Sequence, residues 1–200
     1  MADSERKILA ATNNPDKLRE IRQILDGSGW TVLSLKDIPP YPEPPEDGDT
    51  LVENALEKAR EGFQHSGILT LADDTGLEVD ALDGRPGVFS ARYAGENATY
   101  EDNVLLLLKE LDSLPAPKRT ASFRTVMALV GEDTELWWEG SCKGSITDQQ
   151  IGADGFGYDP VFWSPELGKT FAEASPKEKN SVSHRGRALQ QLDEKLRTLI

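Results

Sequence analysis

The chain has 200 residues, 38% hydrophobic and 7% aromatic, enough for one medium domain that buries ~70% of its unfolded surface. Its 35 acidic and 22 basic residues give a formal net charge of −13, which excludes a broad nucleic-acid-binding face. The longest uncharged apolar run, Val104 to Leu108, falls far short of the ~20 residues of a membrane span, and the single cysteine, Cys142, excludes an intrachain disulfide. The charged start from Met1 to Lys7 leads into no signal-peptide core, so the cytosol is the expected compartment.

In chain order, Lys7 to Thr12 reads as a strand. It passes into a helix from Pro15 to about Asp26, with Asn14 at the N-cap, Pro15 at the first helical position and Gly27 beyond the end. Leu18, Ile21 and Leu25 recur at helical spacing. Trp30 to Leu35 is a second strand. Lys36 to Asp49 holds Pro39, Pro40, Pro42, Pro44 and Pro45, and reads as a loop because proline removes backbone donors. A capping box, Thr50-x-x-Glu53, starts a helix running to about Gln64. Leu69 to Ala72 is predicted as a buried strand and Leu77 to Leu82 as a separate, half-exposed one. Thr99-x-x-Asp102 starts a leucine-rich helix to Leu111. Ser122 to Val130 and Glu135 to Ser141 form a predicted hairpin around Gly131-Glu132-Asp133. The last helix places Leu189, Leu192, Leu196 and Leu199 on one stripe. Alternating helices and strands, plus a hairpin, predict one α/β domain over residues 1–200 with a mixed sheet.

Four segments carry residues suited to chemistry. At Thr12-Asn13-Asn14-Pro15-Asp16-Lys17, a helix start offers unpaired N–H groups and a partial positive charge to a phosphate, with Lys17 one turn in. The same residues would also suit an ordinary N-cap. Ala72-Asp73-Asp74-Thr75-Gly76-Leu77 places two carboxylates at a strand end. Side chains alternate along a strand, so one faces a ligand while the other is expected to anchor the loop through backbone N–H groups. Oxygen ligands of this kind suit Mg²⁺, although an Asx turn is the alternative. Gly155-Phe156-Gly157-Tyr158-Asp159-Pro160 exposes an aromatic between glycines, either to stack on a base or as a tight turn. Asp159 there is an acceptor for ring N–H groups. Ser175 to Gly186 gathers Lys177, Lys179, His184 and Arg185, as an acceptor-reading site or as a solvated stretch before a helix.

Together these motifs resemble the inosine/xanthosine triphosphate pyrophosphatase family. Thr12-x-Asn14-x-x-Lys17 and Ala72-to-Leu77 are similar to its phosphate-binding and acidic signatures. Pro86-to-Gly95, Gly155-to-Pro160 and Ser183-His184-Arg185-Gly186 match further family motifs, in family order. The resemblance implies an elongated α/β fold with a long mixed sheet, two lobes and a substrate cleft between them. It further implies a homodimer that requires Mg²⁺. Carried over residue by residue, it assigns the triphosphate to Thr12, Asn13, Asn14, Pro15, Asp16, Lys17 and Lys179. Asp74 becomes the catalytic residue and a metal ligand, with Glu46 as second ligand and Glu43 as its substitute in the same loop. Thr75 contacts substrate, Phe156, Gly157, Tyr158 and Asp159 surround base and sugar, and His184 with Arg185 reads the base edge.

The implied reaction is attack of water on the α-phosphorus of a purine nucleoside triphosphate, releasing pyrophosphate and clearing aberrant nucleotides from the pool. It rests on positioning and charge stabilisation, so it needs no Ser or Cys nucleophile. A carboxylate engaged with a cation is a poor base, and Asp74 is therefore expected chiefly to position the water. Arg185 donates only, so it fits the 6-oxo group of hypoxanthine or xanthine and opposes the 6-amino group of adenine. The expected order is ITP, dITP and XTP first, ATP last and GTP between. Competing readings are a pyrophosphatase for pyrimidine or modified nucleotides, a nucleotide-binding module without catalysis, and a nucleic-acid binder. The joint presence of Lys17, Asp73, Asp74 and Lys179 opposes the second, and the acid excess opposes the third.

Overall fold

A computed structural model describes residues 6–42 and 44–197, so Glu43, Leu199 and the residues before Arg6 lie outside the description. The elements are β1 (Arg6–Ala10), α1 (Pro15–Leu25), β2 (Trp30–Ser34), α2 (Leu51–Ser66), β3 (Thr70–Val79), β4 (Pro86–Gly87) and α3 (Tyr100–Leu111). They continue with β5 (Thr120–Gly131), β6 (Thr134–Ile146), β7 (Phe162–Ser164), β8 (Lys169–Thr170), α4 (Pro176–Val182) and α5 (His184–Arg197). Hydrogen bonding links the strands in the order β2-β1-β3-β5-β6-β7-β8, with β4 on β3. The result is the expected mixed α/β architecture, a sheet flanked by helices. Two compact units divide the chain, one made of Met1–Asp74, Val126–Glu139 and Ala188–Ile200, the other of Thr75–Thr125 and Gly140–Arg187.

In the first unit β1 runs parallel to β2, with Ile8 opposite Val32, and parallel to β3, with Leu9 opposite Thr70. Ile8, Ile21, Leu25, Leu71, Met127, Leu129, Trp138, Leu189, Leu192 and Leu196 form its core. The predicted stripe of the last helix is thus buried as far as the description reaches. Trp138 is tolerated there because its indole N–H donates to Ala188 O at 2.8 Å. Asn14 caps α1, and the Thr50/Glu53 box caps α2 in both directions.

In the second unit β4 pairs antiparallel with β3, Leu77 opposite Gly87. Strands β7 and β8 continue antiparallel from β6. Its core holds Leu77, Val79, Val104, Leu107, Leu111, Phe123, Cys142, Phe162 and Phe171. Phe162 bridges Phe123 and Phe171, with ring centroids 4.6 and 4.9 Å away. Burial pushes the Cys142 thiol up to about 11, so it serves as a small apolar side chain. Buried Arg119 donates to Leu114 O at 2.9 Å and Thr147 O at 3.0 Å, which satisfies it through backbone carbonyls.

The structure corrects three sequence expectations. The two strands predicted around Asp73 and Asp74 are one continuous strand, β3, because both carboxylates find polar partners inside the protein and no turn is needed. Leu77 and Val79 are fully buried with Glu78 between them partly exposed, so the predicted alternation holds to Val79, but it belongs to β3, and Asp80–Leu82 leaves the strand as a 3-10 turn. His184 and Arg185 do not precede the last helix: they open α5, and both are buried.

Candidate active site

The first unit gathers five charged side chains around the end of β1, α1, α2 and β3. Asp73 and Asp74 are consecutive in a strand, so they project to opposite faces. Asp73 takes the Lys17 ammonium at 3.0 Å, with its carboxylate almost wholly buried. It therefore engages a side chain of α1. Asp74 faces α2. Its Oδ1 accepts from Lys58 Nζ at 3.2 Å and its Oδ2 from Asn54 Nδ2 at 3.1 Å. The same Lys58 Nζ lies 2.7 Å from Glu46 Oε1.

Lys58 thus bridges the two carboxylates expected to hold a cation. Burial opposes its charge, but the nearby carboxylates of Asp74, Glu46 and Asp73 prevail and hold the ammonium above the ordinary lysine range. Neither Lys58 nor Asn54 was singled out from the sequence, yet a signal existed. Leu51, Asn54, Ala55, Lys58, Ala59 and Gly62 share the buried stripe of α2, and two polar residues at buried spacing require partners.

At the start of α1 the Asn14 carboxamide oxygen accepts from the N–H groups of Asp16 at 2.9 Å and Lys17 at 3.2 Å. Thr12 Oγ1 accepts from Asn14 N–H at 3.1 Å. The two helix-terminal amides that could meet a phosphate are therefore engaged by the cap. Asn13 and Pro15 are exposed, and Asp16 pairs with Arg19 at 2.8 Å.

The donor set fits a hard divalent cation. Glu46 and Asp74 offer carboxylate oxygens that already converge on one positive group. Among the described residues no cluster of three or more His, Cys, Asp or Glu side chains forms a complete cage. A cation bound by one or two carboxylates, with water and substrate phosphate completing the shell, is the usual arrangement for Mg²⁺. The charge count agrees. Lys17 and Lys58 against Asp73, Asp74 and Glu46 leave one net negative charge, which repels a polyphosphate until a divalent cation reverses the sign.

The second unit gathers Thr75, Phe156, Asp159, Lys179, His184 and Arg185. Ser175 caps α4, with the Ser175/Glu178 box formed in both directions. Lys179, on that helix, pairs with Asp159 Oδ2 at 2.7 Å, and both side chains are buried. Asp159 Oδ2 also accepts from Phe156 N–H at 2.8 Å, fixing the loop that presents the ring. Gly155 has φ +79, and a Cβ there would collide with the Asp159 carboxylate, so this turn requires glycine.

Lys179 Nζ lies 4.4 Å from the Phe156 ring centroid, and the Arg185 guanidinium carbon 5.7 Å. Arg185 donates to Thr75 Oγ1 at 3.1 Å, and Thr75 shares a 2.7 Å hydrogen bond with Thr125. The His184 ring stacks on Phe123 with centroids 4.5 Å apart. Tyr158 is anchored from below its turn. Its ring belongs to the core, and its hydroxyl donates to Ser90 O at 2.9 Å. Gly157 supplies a second positive φ, +62, in the same turn.

Known proteins are similar to this chain in sequence and fold. The Ham1 family model matches residues 8–195. A dITP/XTP pyrophosphatase of Geobacter sulfurreducens is 51% identical over 95% of this chain and 96% of its own. The structure of the Staphylococcus aureus Ham1 protein superposes with a TM-score of 0.87 at 36% identity, covering 98% of this chain and all of that one (100%). A Mycobacterium abscessus structure described as a nucleoside-triphosphatase and dITP/XTP pyrophosphatase gives 0.76 at 48% identity, covering 93% and 98% of the two chains. Matching sequence, matching fold and near-complete coverage agree, and the chain belongs to the Ham1 family.

Proposed function

We propose that this protein hydrolyses inosine, deoxyinosine and xanthosine triphosphates to the monophosphate and pyrophosphate, using Mg²⁺, and so removes aberrant purines from the nucleotide pool. The observation that carries the reading is the Glu46–Lys58–Asp74 bridge beside the Lys17–Asp73 pair. It combines a cation-ready carboxylate pair with an ammonium for phosphate. The names of the relatives give the substrate class.

Water attacks the α-phosphorus, the bond from that phosphorus to the oxygen bridging the α- and β-phosphates breaks, and pyrophosphate leaves with the electron pair. Bound Mg²⁺ would neutralise phosphate charge through Glu46 and Asp74. Asp74 orients the attacking water, held in one rotamer by Asn54 and Lys58. Lys17 and Lys179 take the phosphate charge, each releasing a carboxylate partner as it does so. In this reading Thr12 to Asp16 shape the phosphate subsite, Thr75 contacts substrate, and Phe156 with the Gly157–Asp159 turn supports the base. His184 and Arg185 address the base edge, where the donor-only guanidinium favours a 6-oxo group.

One functional domain, a homodimer and a cytosolic location complete the proposal. The family match across residues 8–195 supports the single domain. The test is Asp74→Asn. Turnover is expected to fall by about 10³-fold or more while nucleotide affinity changes little, because the neutral amide keeps the shape and loses the charge. Substantial residual hydrolysis rejects the assignment of Asp74.

A further inference from the structure

We infer that Asn54 is a positioning residue for the cation site, tying Asp74 to the loop that carries Glu46. The inference rests on the reading of Asp74 and Glu46 as cation ligands and adds to it a neutral tie that neither the motifs nor the charge count reveal.

Asn54 is almost fully buried on α2, and its carboxamide serves two masters. Nδ2 donates to Asp74 Oδ2 at 3.1 Å, while Oδ1 accepts from Gly48 N–H at 2.9 Å. The partners fix the amide's orientation, since a carboxylate can only accept and a backbone N–H can only donate. No other side chain of this size does both. Aspartate would set a second carboxylate against Asp74, and leucine would leave a buried carboxylate oxygen without its donor.

Lys58 sits one turn further along the same face and makes the parallel connection, from Asp74 Oδ1 to Glu46 Oε1. The two ties differ in charge. A cation drawing on Asp74 and Glu46 competes with the Lys58 ammonium for the same oxygens. The neutral Asn54 amide is not repelled, so its contacts to Asp74 and to the loop survive loading of the site. This matters because residues 39–42 and 44–49 form no helix or strand and include five prolines, so Glu46 is not seated through a backbone ladder.

Gly48 belongs to the same device. A Cβ at this position would lie 2.6 Å from Asn54 Oδ1 and 3.0 Å from Glu53 Cβ, so any side chain pushes the amide off the loop. Gly48→Ala therefore disturbs the contact from the loop side, with every residue of α2 itself unchanged.

The test is Mn²⁺ binding to the nucleotide-free protein by titration calorimetry, with the Mg²⁺ requirement for turnover measured alongside. In both Asn54→Ala and Gly48→Ala the Kd for Mn²⁺ is expected to rise about 10-fold, the usual scale for loss of a group that orients a ligand. The Mg²⁺ concentration for half-maximal turnover is expected to rise in parallel, with KM for ITP at saturating Mg²⁺ little changed. Should Asn54→Ala fail to fold, Gly48→Ala decides. Wild-type Mn²⁺ affinity in a folded variant, or a loss of kcat without a change in metal affinity, overturns the inference. Asp74→Asn separates the two layers: if it binds Mn²⁺ as the wild type does, the cation-site reading itself falls and takes this inference with it.

Discussion

Arg185 has donors only, and it reaches the Thr75 hydroxyl at 3.1 Å and the face of Phe156. A buried guanidinium reads an incoming acceptor and opposes an incoming amino donor. Replacing it with alanine is expected to shrink the preference for ITP over ATP by roughly 10- to 100-fold, chiefly through a loss on ITP. Steady-state kinetics on the two nucleotides check this, and an unchanged ratio would move base reading elsewhere. At this scale the sequence discloses residues whose identity is itself chemical. Lys17, Asp74 and Arg185 are visible because strand ends and helix starts are where ligands meet side chains. Asn54 and Lys58 escape notice because they lie within a helix, and only their place on a buried stripe marks them. Tyr158, a polar aromatic in a glycine-rich motif, turns its ring into the core, which no local pattern announces.

Helix α4 is where an element decides the fate of a residue. It has seven residues and no apolar stripe, so periodicity cannot find it, and its local signatures are the Ser175/Glu178 box and Pro176 at the helix start. That box starts the helix and thereby aims Lys179 at Asp159 and Phe156. Ser175→Ala is expected to cost ~1 kcal/mol, a Tm drop of about 2–4 °C for a chain of this size, measurable by thermal denaturation. Glu178 adds a pH dependence. Its hydrogen bond to Lys169, and then those to Ser175, lower its carboxyl to about 2. A carboxyl depressed in the folded state stabilises above its ordinary pKa of 4.5 and loses that contribution as pH falls toward 2. The Tm difference between wild type and Glu178→Gln is therefore expected to be present at neutral pH and to shrink below about pH 4.5. A difference that persists unchanged at low pH would remove the ionised cap from the account.

The caps and first turns of α1, α2 and α3 are legible in the sequence because their signals lie within four residues. β3 is not, because Asp73 and Asp74 look like the end of a strand until their partners on α1 and α2 are known. Those partners are distant in the chain, and no local pattern encodes them.

For the whole molecule, net charge and coverage carry the argument. A chain of formal charge −13 that handles polyphosphates must concentrate its positive groups and borrow a cation. The first unit does this with Lys17 and Lys58 among three carboxylates, and the second with Lys179 on Asp159 and Arg185 over the Phe156 ring. Each unit builds its core from segments far apart in sequence, such as Ile8, Met127 and Leu192 in the first. Alternation of elements predicts the α/β class, but it cannot predict which segments share a core.

The most direct test is a nucleotide panel assayed with and without Mg²⁺, with pyrophosphate and orthophosphate resolved as products. The account predicts one pyrophosphate per monophosphate, strict dependence on the cation, and kcat/KM for ITP, dITP and XTP about 100-fold or more above ATP, with GTP between. Equal rates on ATP and ITP, or orthophosphate as the first product, would contradict it.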